Sequence, residues 1–266
     1  MIKKLQSLFT LRRNWTIPYA IFLAIFVLLP LLLILYYSFT NDGGEFSLSN
    51  FRRFVLHKEE LYTLIYSVGI AIITTVICIV LGYPVAWILS NKRLNRSSLL
   101  IVLFILPMWI NVLIRTLATV ALFDFMSLPL GEGALIFGMV YNFLPFMIYP
   151  IYNTLSSMDE SLIEAAQDLG AKESTVFYKV IFPLSMPGVV SGVMMVFMPT
   201  ISTFAIAELL TMNNIKLFGT TIQDNLNNGL WNYGAALSLI MLAIIGITTA
   251  MSGDGDGGKS NEGGLI

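Results

Sequence analysis

EAAQDLG occupies residues 164–170, and VIFP follows it at 180–183. Ser157 and Glu160 stand upstream at capping-box spacing, Asp159 and Glu160 put negative charge on a first turn, and Gly170 suits a left-handed stop. These signals predict a short helix from Asp159 to Leu169. Leu162, Ala165, Ala166 and Leu169 share one face of it, while Glu164, Gln167 and Asp168 look outward or sideways. A second amphipathic piece, Ser174 to Ile181, turns Val176, Phe177, Val180 and Ile181 towards the core, and Pro183 and Pro187 are expected to break it. The polar stretch lies between membrane-length apolar runs. A helix, a turn and a helix held there give a soluble partner something to push.

Working outward, the apolar runs decide the fold class. The 266 residues are 56% hydrophobic and 12% charged, against about a quarter charged in soluble domains. Mean hydropathy is +0.79. A bilayer crossing needs about 20 apolar residues, and runs of that kind lie near Ile17–Phe39, Tyr62–Leu89, Leu99–Phe123, Ala134–Leu155, Pro187–Leu210 and Trp231–Met251. Lipid offers the backbone no hydrogen-bond partners, so runs this long are helices, whereas barrel strands would be shorter and would alternate. The expected fold is an all-α polytopic membrane protein with six transmembrane helices. Residues 1–16 form an N-terminal segment, 17–251 the six-span domain with its polar loop at 156–186, and 252–266 a flexible tail. The first run is too long for a cleaved leader, and no small-residue cleavage site follows Phe39.

The basic residues orient the spans. Lys3, Lys4, Arg12 and Arg13 precede the first span, and Lys92, Arg93 and Arg96 fill the second connection, whereas Asp124 to Glu132 carries no basic residue. Both termini are therefore expected in the cytoplasm, with the EAAQDLG loop on the same side. Arg52, Arg53 and Lys58 oppose this from the first external loop, accompanied by Asp42, Glu45, Glu59 and Glu60.

Several function classes fall away. A net charge of −1 leaves no nucleic-acid footprint. The single cysteine, Cys78, lies mid-run and reads as a core residue, and the single histidine, His57, sits in an external loop. Neither a catalytic triad nor a multi-histidine metal site can be assembled. Residues 253–260, GDGDGGKS, satisfy the phosphate-loop pattern. Such a loop needs a strand before it and a helix after it, and here a membrane span precedes it while six residues follow.

The order EAA, Gly and branched–x–apolar–Pro at these spacings is similar to the cytoplasmic signature loop of bacterial ABC-importer permeases. The resemblance implies a type I importer fold in which this loop is a coupling helix docking into an ATPase subunit. It gives that role to Glu164, Ala165, Ala166, Gly170, Val180, Phe182 and Pro183, with Asp168 in the same segment. NVLIRT (111–116), LPFMIYPIY (144–152), LSMPGVVSG (184–192), MPTISTFAIAELL (198–210) and WNYGAALS (231–238) resemble the first permease of spermidine/putrescine importers. The connection after Asp124 is shorter than that likeness implies. The implied partners are a second homologous permease, two ATPase subunits carrying ATP and magnesium, an external substrate-binding protein and the lipid bilayer.

Ionisable and aromatic groups at membrane depth are candidates for the cargo path. Arg115 reads as a structural charge, pairing with a carboxylate or binding a carbonyl at a helix break, since an arginine repels a polyamine. Asp124 and Glu208, near the external ends of spans, are placed to receive ammonium groups or simply to be solvated. Trp109, Tyr141, Phe143, Phe146 and Tyr149 offer cation–π contacts or plain packing. Pro107, Pro145, Pro150 and Pro199 mark expected kinks. The alternatives are an ABC permease for a different small solute, or a self-sufficient secondary transporter or channel, which would need midplane acids and an inverted repeat.

Overall fold

The computed structural model describes residues 12–41, 43–91 and 99–253, with the backbone alone for 12–17 and 251–253. Lys3, Lys4, Asp42, Lys92, Arg93, Arg96 and the tail from 254 onward lie outside the described residues, as do the side chains of Arg12 and Arg13. Helices α1 (Arg12–Leu23) and α2 (Leu29–Ser38) flank a π-helical stretch, Ala24–Leu28. Then come α3 (Ser49–Leu56), α4 (Lys58–Ser90) and α5 (Leu99–Ile105), which runs into a 3-10 turn at Leu106–Trp109. Helices α6 (Val112–Phe125), α7 (Glu132–Ser156), α8 (Glu160–Asp168) and α9 (Glu173–Val176) lead to a second π stretch, Phe177–Ile181. The remaining helices are α10 (Phe182–Ser202), α11 (Ala205–Thr211), α12 (Phe218–Asn227) and α13 (Trp231–Gly253). No strand occurs among the described residues.

Among the described residues, five helices are long and apolar enough to cross a membrane: Pro18–Ser38, Lys58–Ser90, Glu132–Ser156, Glu173–Ser202 and Trp231–Ala250. A sixth crossing requires joining Leu99–Trp109 to Val112–Phe125 across a bend of 96°. The expected third span, Leu99–Phe123, is thus broken. Pro107 removes a donor from the 3-10 turn, Ile110 is extended, and the Asn111 side chain accepts from the Leu113 N–H at 2.8 Å, so a new helix is capped where a straight one was expected.

The fifth span also differs from expectation. It starts before Pro187 rather than at it, runs unbroken through Pro183, Pro187 and Pro199, and ends at Ser202, with α11 beyond a break at Thr203 and Phe204. Pro183 does not stop the helix because the π turn accommodates it. The Phe182 N–H bonds back to the Phe177 carbonyl, so the backbone has already widened where a proline ring would strike its i−4 carbonyl. The same device recurs near the N-terminus, where the Leu29 N–H reaches Ala24 and Pro30 follows directly. Pro145 and Pro150 likewise sit inside an uninterrupted α7.

Two compact units divide the chain. One comprises Met1–Lys58 with Ile222–Ala243. In it the Thr40 carbonyl accepts from the side-chain amides of both Asn50 and Asn232, each at 3.0 Å. The Arg53 guanidinium lies 4.1 Å above the Tyr233 ring. That contact occupies one of the cations that opposed the orientation read from the sequence.

The other unit, Glu59–Thr221 with Ile244–Ile266, is organised on α7. Gly188 and Gly192 of α10 form a small-xxx-small pair against it: a Cβ at 188 would lie 2.8 Å from the Pro150 carbonyl, and one at 192 would lie 2.7 Å from Met147 Sδ. Gly82 of α4 approaches the same methionine, where a Cβ would lie 3.0 Å from its Cγ. Met147, Met139, Ile148 and Ile151 are consequently buried, and Cys78 is a buried core residue as its setting suggested.

Candidate coupling helix and membrane-embedded polar groups

Helix α8 is built from local signals. Asp159 is its N-cap, with Oδ1 accepting the Ser161 N–H at 2.9 Å, and this bond holds the Asp159 carboxyl below the usual carboxylate range. The capping box expected from Ser157 does not form. Ser157 terminates α7, donating its N–H to the Asn153 carbonyl at 3.1 Å with helical backbone angles, so it cannot also adopt the extended geometry of an N-cap. At the far end Gly170 has φ +80°, and the Ala171 N–H returns to Ala166, closing the left-handed stop.

The exposed face of α8 carries its apolar residues as well as its charges. Ile163 and Ala166 are half-buried, and α8 packs on α9 and the following π turn. Leu162 is 47% and Leu169 89% exposed, with Ala165 between them and Glu164 and Asp168 alongside. The four-residue apolar face expected from spacing is therefore split: Ala166 turns inward, and Leu162, Ala165 and Leu169 turn outward. A two-turn helix showing leucines to solvent beside two carboxylates has a surface suited to a partner, not to its own core.

Arg115, on the second limb of the broken span, is 6% exposed. Its Nη1 donates to the Asn142 carbonyl at 3.4 Å, Nε has no partner, and no carboxylate lies within ion-pair reach among the described residues. The carbonyl it meets lies inside the uninterrupted α7 and not at a helix break, so the contact differs from both roles expected for it. Asn142, fully buried on α7, donates to the Gly138 carbonyl at 2.8 Å and to Thr116 at 3.4 Å, while its Oδ1 is unpaired. The two helices are thus stitched by a polar seam with spare donors and acceptors.

The pathway candidates are scattered. Trp109 is 83% exposed at the break. Tyr141 and Tyr149 are exposed along α7, and Phe146 is half-buried against the core, its ring 6.3 Å from that of Phe143. Asp124 is exposed at the end of α6, and Glu208 is half-buried on α11. Helices α6 and α11 pack together, so the structure brings the two acid-bearing elements into contact without any bond between the acids themselves. Sequence reasoning missed the buried pair Tyr83 and Ser185, whose hydroxyls stand 2.9 Å apart, and the Gly188–Gly192 pair. The first leaves no local signal, while the second is legible as GVVSG.

Against this geometry the likenesses to known proteins fall into place. The profile of the binding-protein-dependent transport system inner membrane component matches residues 8–253. The spermidine/putrescine transport system permease protein PotB of Escherichia coli strain K12 is 36% identical over 251 residues, covering 85% of this chain and 90% of that protein. PotB of Haemophilus influenzae is 36% identical over 256 residues, 86% of either chain. Among solved structures, a bacterial ABC transporter involved in import of the acidic polysaccharide alginate superimposes with a TM-score of 0.68 at 15% identity, covering 95% of this chain and 98% of that one. The MetNI methionine ABC transporter in inward-facing conformations gives 0.55 at 16%, over 73% and 91%. These structures share the fold. The chain is thus a membrane-embedded transport component rather than an enzyme, and belongs to the family of binding-protein-dependent transport system inner membrane components.

Proposed function

We propose that this chain is a permease subunit of an ATP-driven importer for polyamines such as spermidine and putrescine. The 36% identity to proteins named for those solutes supports the cargo. The single observation that carries the mechanism is the outward face of α8, on which Leu162, Ala165 and Leu169 stand unpartnered beside Glu164 and Asp168. In this reading the loop 156–186 and both termini are cytoplasmic. One ATPase subunit receives α8 in a cleft, a second engages a homologous permease, and ATP and magnesium bind to those subunits. Closure of the ATPases drives α8 and the spans behind it from inward- to outward-facing, while an external binding protein delivers the solute.

The cargo crosses between the two permeases. Asp124 and Glu208 receive ammonium groups, and Trp109, Tyr141, Phe146 and Tyr149 offer ring faces worth about 0.5–2 kcal/mol each. Weak contacts in series favour passage, since a tight site would slow release. Arg115 stands outside the path, because its charge would repel the cargo.

Two measurements test the reading. Cells lacking the chain should lose uptake of labelled spermidine and putrescine, and loss of some other solute alone would assign a different cargo. Glu164→Arg should release the ATPase subunits from the purified transporter without changing membrane insertion. Full retention with undiminished uptake would remove α8 from the coupling path.

A further inference from the structure

Tyr83, near the end of α4, donates a hydrogen bond to Ser185 Oγ across 2.9 Å. The direction is fixed because the one hydroxyl proton of Ser185 is committed to the Phe182 carbonyl at 2.8 Å. Tyr83 is 8% exposed and Ser185 fully buried. Rings gather around this bond: Phe177 meets Tyr83 edge-on at 6.0 Å between centroids and Trp87 at 5.4 Å, while Phe182 lies 5.7 Å from Tyr83. Phe177 opens the π turn, and Phe182 is the residue whose N–H returns to it. Both ends of that turn are therefore gripped by aromatic groups of α4.

We infer that this cluster is the joint through which displacement of α8 reaches the second and fifth spans together, with Phe177 and Tyr83 as positioning residues. The inference rests on the reading of α8 as the docking helix. Helix α8 has no buried residue, and it packs on α9 and on the π turn. Val176, just before the turn, is 2% exposed. Pro183, just after it, cannot supply the N–H that an ordinary α-helical register would require at that position. A push on α8 is thus not absorbed by sliding within the turn. It is passed through the Phe177 ring to Tyr83 and Trp87 on α4, and through the backbone to α10. The Tyr83–Ser185 bond makes the two spans move as one.

The test uses the complete transporter in vesicles and reads ATP hydrolysed per solute imported. Phe177→Ala should raise that ratio about tenfold by removing several ring contacts, with the ATPase subunits still bound. Phe177→Tyr, which keeps the ring, should restore it, and Lys179→Ala, at an exposed position of the same turn, should leave it unchanged. Tyr83→Phe removes one hydroxyl and should raise the ratio about threefold, the worth of one buried hydrogen bond. That variant decides the matter if Phe177→Ala does not fold. An unchanged ratio in Tyr83→Phe overturns the inference, as does a proportional fall of hydrolysis and uptake in Phe177→Ala. Glu164→Arg separates the two levels: ATPase subunits that stay bound to it, with normal uptake, refute the docking role of α8 whatever Phe177 does.

Discussion

Arg115 and Asn142 face each other across the seam between α6 and α7 with one 3.4 Å hydrogen bond, to a backbone carbonyl, while Arg115 Nε and Asn142 Oδ1 both go unpaired. A buried charge is usually retained with a partner, because removing it from water costs several kcal/mol. Among the described residues the compensation is a single carbonyl. Arg115→Met keeps much of the length and the apolar stem of the side chain and removes the charge. Its thermal unfolding in detergent should therefore lie within about 1 kcal/mol of the parent, or above it. A loss of about 3 kcal/mol or more would reveal a counter-charge supplied by another subunit.

Gly192 faces Met147 so closely that even a methyl group would stand 2.7 Å from the sulfur and 3.2 Å from the backbone oxygen. Gly192→Ala should destabilise the chain by about 1–3 kcal/mol through overpacking, and Gly192→Leu should prevent α10 from seating on α7. Gly69 on α4 has open space within 4 Å of the point where a Cβ would stand, so Gly69→Ala serves as the control and should be neutral or slightly stabilising. Detergent-resistant yield and unfolding temperature of the three variants check the order.

Lipid-length apolar runs and the bounds of α8 were legible because each rests on a local rule: composition over a window for the runs, the Asp159 cap and the Gly170 stop for the helix. What escaped depends on competition between neighbours. Ser157 carries a valid cap signature, yet α7 claims it first. Pro183 carries a valid break signal, yet a π turn gives the backbone another way past it. Ala166 matches the periodicity of Leu162 and Leu169, but which side of that stripe meets the rest of the chain is set by tertiary packing. Tyr83 and Ser185, 102 positions apart, show nothing in either local sequence that announces the pair.

The tail pattern GDGDGGKS gives a prediction that separates a sequence coincidence from a site. A phosphate loop acts through backbone amides placed between a strand and a helix, and the residues before 254 continue α13. Deleting 254–266 should leave ATP binding by the assembled transporter and solute uptake unchanged, as measured by nucleotide photolabelling and vesicle transport. Loss of labelling on this chain would show a nucleotide site where none is expected.

Asp159 ties the folding of α8 to pH. Its carboxylate accepts the Ser161 N–H, which holds its pKa below the value it has in an unfolded chain. A group whose folded value is depressed stabilises the folded helix above the unfolded value, and that contribution fades as pH falls through the folded value. Amide hydrogen exchange at residues 161–163, corrected for the intrinsic pH dependence of the exchange chemistry, should be steady near neutrality. Protection should begin to decline as pH falls through the ordinary carboxylate range and continue to do so below it. Asp159→Ala should show the weaker protection at every pH and lose the acid-dependent step, whereas Asp159→Asn, which can still accept the bond without a charge, should keep most of the protection and also lose the step. A step that persists in Asp159→Asn would show that the cap is not the pH-sensitive element of the helix.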